Sequence, residues 1–258
     1  MQIVVVDNEA IVVKGITHII NKYCPDHEVT GGFTNALEAI EFIKDGMTIM
    51  VGGFLVNGTP ETLVDALVAK GVKDLTLICN DTGFSFPAKP DTPAKPPKGV
   101  GKMVVKKQFK KIIASHIGTN PETGRQMNEK ETEVVLVPQG TLAEQIRCGG
   151  TGIGGFLTPT GIGTEVEEGK QKMTVDGKEY LLELPLRADV ALLYGTSVDK
   201  SGNIVYAYTQ RNFNPIMAMA ADLVICEAGE VVDVGAIDPN NVTTPGIFVD
   251  YIVRKGDA

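Results

Sequence analysis

The chain has 258 residues, enough for one large or two small domains, and 43% of them are hydrophobic, as a globular core requires. Asp and Glu number 32 against 24 Lys and Arg, a net charge of −8 that argues against a broad nucleic-acid footprint. No apolar run reaches the roughly 18 residues of a membrane span, and "MQIVVVDNEA" lacks the basic start of a secretory signal.

Cys24, Cys79, Cys148 and Cys226 are widely spaced with no CxxC pair, and read as reduced thiols of a cytoplasmic protein. His18, His27 and His116 are too scattered to suggest a histidine zinc site. "IVVVD" predicts a buried strand and "AIVVKGITHIINKY" a helix. "MTIMV" predicts a strand, Pro60 to Lys70 a helix, and "DLTLIC" a further strand. "KKIIASH" and "EVVLV" continue the strands, followed by the helix "LAEQIRC". Then come "DVALLYG", "GNIVYAY", the helical "NPIMAMAA" and the strand "DLVICEA". Such alternation predicts an α/β fold, an open and mainly parallel sheet with flanking helices.

Pro87 to Lys98, "PAKPDTPAKPPK", interrupts the pattern. Its five prolines fix φ and remove donors, so it is expected as an exposed, polyproline-like loop and not a central strand. A docking site for a proline-reading module is the alternative.

The stretch "MVGGFLVNGTPE" joins a strand to a helix. Thr59 is placed to cap that helix, Pro60 to occupy its first position and Gly71 to end it. Free amides at a helix start attract phosphate or carboxylate, and Gly52, Gly53 and Gly58 would let a ligand approach the backbone. The turn also lies where open parallel sheets bind ligands, at a strand's carboxyl end. A plain structural turn is the other reading. "GTGIGG", Gly150 to Gly155, matches GxGxxG formally but follows a helix, so it reads as a pliable wall and not a dinucleotide site.

Gln139, in "VPQGT", projects from another strand end. Its amide can donate to an oxyanion or merely brace the turn. His116 reads as a hydrogen-bonded structural residue or an acid–base group, and Cys148 as a small hydrophobe. "RNFN", Arg211 to Asn214, reads as an anion-binding segment or a helix cap, and capping by Asn212 or Asn214 is the expectation. Glu167, Glu168, Lys170 and Lys172 look like a solvated turn.

"DGMTIMVGGFLVNGTPETLVDAL" resembles the signature of family I CoA-transferases. "LTLICNDTG", "KKIIASHIGTNPETGRQM", "VPQGTLAEQIRCGGTGIGGFLTPTGIGT", "YLLELPLRADVAL", "QRNFNPIMAMAAD" and "TPGIFVDYIV" continue the likeness in order, from about Asn35 to Val253. The nearest likeness is to α subunits of the bacterial acetate, acetoacetate or butyrate–acetoacetate type, with the NagB/RpiA-like architecture. The resemblance implies that CoA moves between acetoacetyl-CoA, or another short acyl-CoA, and a short-chain fatty acid such as acetate or butyrate. It implies a glutamyl-CoA intermediate and covalent catalysis, with the CoA thioester as substrate and no resident cofactor. The family's CoA-binding segment falls on Gly52, Gly53, Phe54, Leu55, Val56, Asn57 and Gly58, and its oxyanion donor on Gln139. The family's nucleophile sits in Ser-Glu-Asn-Gly on a β subunit. That motif is absent here, and Glu227 in "CEAGE" is the nearest substitute. A β-subunit partner in an α2β2 complex is therefore expected, with neither nucleic acid nor membrane.

Residues 1–34 depart from the family. They resemble the start of a receiver domain, with an acidic Asp7-Asn8-Glu9 turn but no phosphoacceptor aspartate at the third strand. The division expected is a receiver-like remnant or extension, 1–34, and a CoA-transferase α-subunit domain, 35–258. The competing functions are a phosphorylation-dependent signalling protein built on that segment and a non-catalytic CoA-binding protein.

Overall fold

A computed structural model describes residues 35–256 apart from 89 and 92. The receiver-like segment, with its expected first strand and helix, lies outside the described residues. Asn35 caps the short helix α1 (Ala36–Ala39) by accepting from Glu38 N–H. The chain then enters β1 (Thr48–Val51), α2 (Glu61–Lys70), β2 (Leu75–Asp81) and the hairpin β3 (Phe84–Phe86) and β4 (Lys95–Lys98). Next come α3 (Gly101–Val105), β5 (Phe109–His116), α4 (Pro121–Asn128), β6 (Glu133–Leu136) and α5 (Gln139–Thr151). A small antiparallel sheet follows, of β7 (Phe156–Thr158), β8 (Lys172–Val175) and β9 (Lys178–Glu183). The last part carries β10 (Ala188–Asp199), β11 (Ile204–Val205), α6 (Asn214–Met219), β12 (Ala221–Val232) and β13 (Tyr251–Arg254).

The main sheet runs β13-β12-β10-β1-β2-β5-β6, and β11 attaches to β10. Every pairing along that order is parallel; only β11 is antiparallel. The chain builds outward from β1 through β2, β5 and β6, then returns to lay β10 on the other side of β1. The order therefore reverses between β1 and β10, and the crevice at the carboxyl ends there is where such sheets receive ligands.

Side chains alternate across the sheet with the period of two that strands impose. Ile49 and Val51, Leu75 and Leu77, Val190 and Leu192 and also Ile225 pack with Leu63, Leu67 and Met103 of α2 and α3. Met50, Ile78, Ala191, Leu193 and Cys226 face the other way, onto Leu142, Ile146 and Met217 of α5 and α6. Lys70 closes α2 by donating to the carbonyls of Ile40, Glu41 and Ile43, each at 2.8 Å, which ties α2 to the end of α1. Gly71 ends α2 as expected, with φ 73°.

Two expectations change. The helix read as "LAEQIRC" runs from Gln139 to Thr151 and takes in Gly149 and Gly150. A Cβ on Gly149 would stand 1.9 Å from Leu186 O, and one on Gly150 2.6 Å from Met219 Cβ. The glycines are there because neighbouring segments press against the helix. The proline-rich stretch is exposed as expected, yet Lys95–Lys98 forms an edge strand. Its paired positions are Lys95 and Lys98, opposite Phe86 and Phe84, while Pro96 and Pro97 between them have no N–H to offer.

Candidate functional site

β1 ends at Val51. Gly52 N–H still reaches Leu192 O on β10 at 2.9 Å. A Cβ on Gly52 would stand 1.8 Å from Asn214 Oδ1, and one on Gly53, whose φ is 124°, would stand 2.1 Å from Thr59 Oγ1. The close approach these glycines permit is thus to the protein's own side chains, where the sequence had suggested a ligand. Phe54 and Asn57 then exchange two backbone hydrogen bonds of 3.0 Å around Leu55 and Val56. Phe54 and Asn57 are exposed, while Gly52, Gly53 and Gly58 are buried beneath them.

Leu55 N–H donates to Asp81 Oδ2 at 2.8 Å. Asp81, at the carboxyl end of β2, also accepts from Gly83 N–H at 2.9 Å and from Asn80 Nδ2 at 2.8 Å. Asn80 Oδ1 in turn accepts from Gln139 Nε2 at 2.7 Å and from Ser115 Oγ at 3.1 Å. One line of hydrogen bonds therefore runs from the turn to Gln139 across the ends of β1, β2 and β5. The exposed Gln139 is the first residue of α5, after Pro138 at the N-cap. Beside it lies a groove of about 510 Å³ lined by Gly140, Thr141, Glu144, Phe156, Leu157 and Thr158.

The start of α2 differs from expectation. Pro60 is the N-cap and makes no side-chain bond, so Thr59 does not cap the helix. Glu227 Oε2, from β12, accepts from Thr62 N–H at 2.7 Å and Leu63 N–H at 3.2 Å. Ile225 and Glu227 lie on the same face of β12, and Glu227 is 0% exposed. The amides expected to attract a ligand's phosphate already hold an internal carboxylate. Glu227, the nearest substitute for the family's nucleophile, is thus buried and bound to a helix end. Burial pushes its carboxyl above the ordinary value, against the pull of the Leu63 and Thr62 amides. Among the described residues its Oε1 has no hydrogen-bond partner.

His116 ends β5 and is exposed, and Cys148 is buried as a small hydrophobe. The α6 N-cap is Phe213, without a side-chain bond, so neither Asn212 nor Asn214 caps that helix. Both instead bond to the Gly52–Gly58 turn. Asn212 Nδ2 donates to Asn57 O at 2.9 Å, and Asn214 Nδ2 to Gly58 O at 3.0 Å. Lys170 is more than part of a solvated turn, because it pairs at 2.6 Å with Glu183, which is 2% exposed. The sequence offers Asn212 and Asn214 as caps or anion ligands, and does not single out Asn80 and Asp81. The available signal was "CND" closing a strand adjacent to the glycine turn.

A parallel sheet covered on both faces, with a glycine turn and a hydrogen-bonded row of side chains at its reversal point, defines an α/β protein of the class whose ligands are received at the carboxyl edge. The chain belongs to the coenzyme A transferase family, whose profile matches residues 33–255. The match begins at the end of the receiver-like segment. The acetate CoA-transferase subunit alpha of Escherichia coli (strain K12) is 56% identical over 216 residues, 84% of this chain and 93% of that one. The acetoacetyl-CoA:acetate/butyrate CoA transferase alpha subunit of Clostridium acetobutylicum is 51% identical over 214 residues, 83% of this chain and 93% of that one.

Solved structures share the fold at lower identity. An acyl-CoA transferase from E. coli O157:H7, solved as a thioester complex with CoA, superposes with a TM-score of 0.73 at 22% identity. The match covers 88% of this chain and 48% of that enzyme, so the chain spans about half its length. Glutaconate coenzyme A-transferase from Acidaminococcus fermentans gives 0.71 at 16% identity, covering 87% of this chain and 75% of that one.

Proposed function

We propose that this chain is the α subunit of a heteromeric CoA-transferase that moves CoA between acetoacetyl-CoA and a short-chain fatty acid such as acetate or butyrate. The kinship to two named α subunits, covering 93% of each, supports the substrate class and the need for a β partner. The observation that carries the chemistry is the hydrogen-bonded line from Leu55 N–H through Asp81 and Asn80 to Gln139. It couples the residues proposed to bind CoA, Gly52 to Gly58, to the residue proposed to polarise the thioester.

Asp81 and the backbone amides it receives leave Asn80 one orientation, with Nδ2 toward Asp81 and Oδ1 toward Gln139. Gln139 must then present Nε2, and that amide carries a second N–H which the bond to Asn80 does not use. On this reading the second N–H meets the oxyanion formed when a carboxylate attacks the thioester carbonyl. Such a donor contributes about 3–4 kcal/mol to the transition state. The attacking glutamate comes from the β subunit, since the chain lacks Ser-Glu-Asn-Gly and Glu227 is engaged elsewhere. Its attack expels CoA as the thiolate and leaves an acyl–glutamyl anhydride; the thiolate then attacks the glutamyl carbonyl, releasing the first acid and forming a glutamyl-CoA thioester. The second acid's carboxylate runs these steps in reverse and leaves as the new acyl-CoA with the glutamate freed, so the CoA thioester is a substrate and no resident cofactor is assigned. The assembly is proposed as α2β2 in the cytoplasm; no helix among the described residues is long and apolar enough to cross a membrane.

The test is reconstitution. The chain alone is expected to exchange no CoA, and the chain mixed with its cognate β subunit to transfer it from acetoacetyl-CoA to acetate or butyrate. Full activity of the isolated chain would overturn the two-subunit reading.

A further inference from the structure

The turn that crosses the reversal point has a backbone its own residues disfavour. Leu55 and Val56 have φ of 47° and 63°. Bulky and β-branched residues rarely enter that region, and a two-residue turn with two positive φ values ordinarily carries Asn-Gly. Such a backbone persists where its surroundings over-determine it.

The surroundings are specific. Asn212 Oδ1 accepts from Gly53 N–H at 3.2 Å, and its Nδ2 donates to Asn57 O at 2.9 Å. One side-chain amide thus closes both ends of the turn. Its orientation is fixed by Phe213 N–H, which donates to Oδ1 at 2.7 Å, and by Thr209 O, which accepts from Nδ2 at 2.7 Å. Asn214 grips the same segment one step further on. Its Nδ2 donates to Gly58 O at 3.0 Å and Gln210 O at 2.8 Å, and its Oδ1 accepts from Tyr194 N–H at 3.2 Å. Asn214 Oδ1 also fills the space a Cβ on Gly52 would need, 1.8 Å away. From the opposite side Asp81 takes Leu55 N–H.

We propose that Asn212 and Asn214 are positioning residues, which hold the Gly52–Gly58 turn in the shape that receives the CoA thioester. The proposal rests on the reading of that turn as the CoA-contacting segment. The physical reason is preorganisation. Without the clamp, Leu55 and Val56 relax to negative φ, and re-forming the turn must then draw on binding free energy. The loss appears in KM for the acyl-CoA and not in kcat, because the clamp touches none of the reacting atoms.

The experiment uses the complex with the β subunit. Asn212→Ala, and Asn212→Asp, which keeps the oxygen acceptor and loses the donors to Asn57 O and Thr209 O, are assayed for transfer from acetoacetyl-CoA. Thermal unfolding and hydrogen exchange of the 53–58 amides, with and without CoA, are measured in parallel. KM is expected to rise about tenfold or more in Asn212→Ala, with kcat within about threefold of wild type. Adding Val56→Gly, which accepts the positive φ without strain, is expected to recover most of that loss. An unchanged KM in a folded Asn212 variant, while CoA still slows exchange of the 53–58 amides, overturns the clamp and leaves the binding reading intact. A lowered unfolding temperature with unchanged KM does the same. Exchange in wild type that CoA does not alter overturns the binding reading and the clamp with it. Should Asn212→Ala fail to fold, Asn212→Asp decides on the same criteria.

Discussion

Gln139 owes its orientation to a residue on another strand. The Asn80 amide cannot flip while Asp81 accepts from it, so the proposed oxyanion donor is aligned before any substrate arrives. Replacing Gln139 by alanine is expected to lower kcat of the complex by about a hundredfold or more, with little effect on thermal unfolding. A wild-type rate would reduce Gln139 to a brace for the turn. Glu227 gives a second prediction at this scale. Its folded carboxyl is held above 4.5 by burial. The folded chain therefore keeps a proton that the unfolded chain has already released, and wild type loses stability as pH rises from about 4.5 through the folded value. Glu227→Gln retains an acceptor for the Thr62 and Leu63 amides and escapes that loss. Its unfolding temperature, relative to wild type, is expected to climb as pH rises above about 4.5. A relative temperature that falls over this range would mean that attraction to the α2 amides outweighs burial.

Among the helices, glycine has opposite meanings in α4 and α5. A Cβ on Gly124 in α4 meets nothing within 4 Å, whereas one on Gly149 in α5 meets a backbone oxygen at 1.9 Å. Gly124→Ala is expected to stabilise the chain by about 0.5–1 kcal/mol, since alanine loses less backbone freedom in a helix. Gly149→Ala is expected to destabilise it despite the same propensity gain, because Leu186 must move; chemical denaturation of the two variants checks both signs. The same contrast explains what the sequence could convey. Apolar runs of strand length located β1, β2, β5, β10 and β12, and Gly71 marked the end of α2, because these are local signals. The cap of α2 was misread because its partner, Glu227, lies 165 residues from Thr62 and has no local signature. Asn212 and Asn214 were misread for the same reason. "RNFN" has the composition of a cap, and only the return of the chain to β10 puts it against the turn.

On the scale of the whole molecule, the parallel sheet should govern local stability. β1, β2 and β10 are covered on both faces by the two core clusters, while β7 to β9 form a smaller sheet with an exposed β8. Native-state hydrogen exchange is expected to be slowest in β1, β2 and β10 and fastest in β8 and the β3–β4 hairpin. Equal protection throughout would contradict that ranking. The family likeness was legible over the described chain because the blocks that carry it are contiguous. The hydrogen-bonded row that joins the turn to Gln139 was not, because it is assembled from three strand ends and a helix start.

The edge hairpin has a consequence for behaviour at high concentration. An uncovered strand edge is a template for recruiting other chains, and cells penalise such templates through aggregation. Two of the four residues of β4 are prolines and the other two are lysines. A foreign strand approaching it would find missing donors and positive charge, so β4 ends its sheet without seeding another. Substituting Pro96 and Pro97 by valine is expected to leave the crevice intact and to make the chain self-associate through β4, a change that light scattering would register.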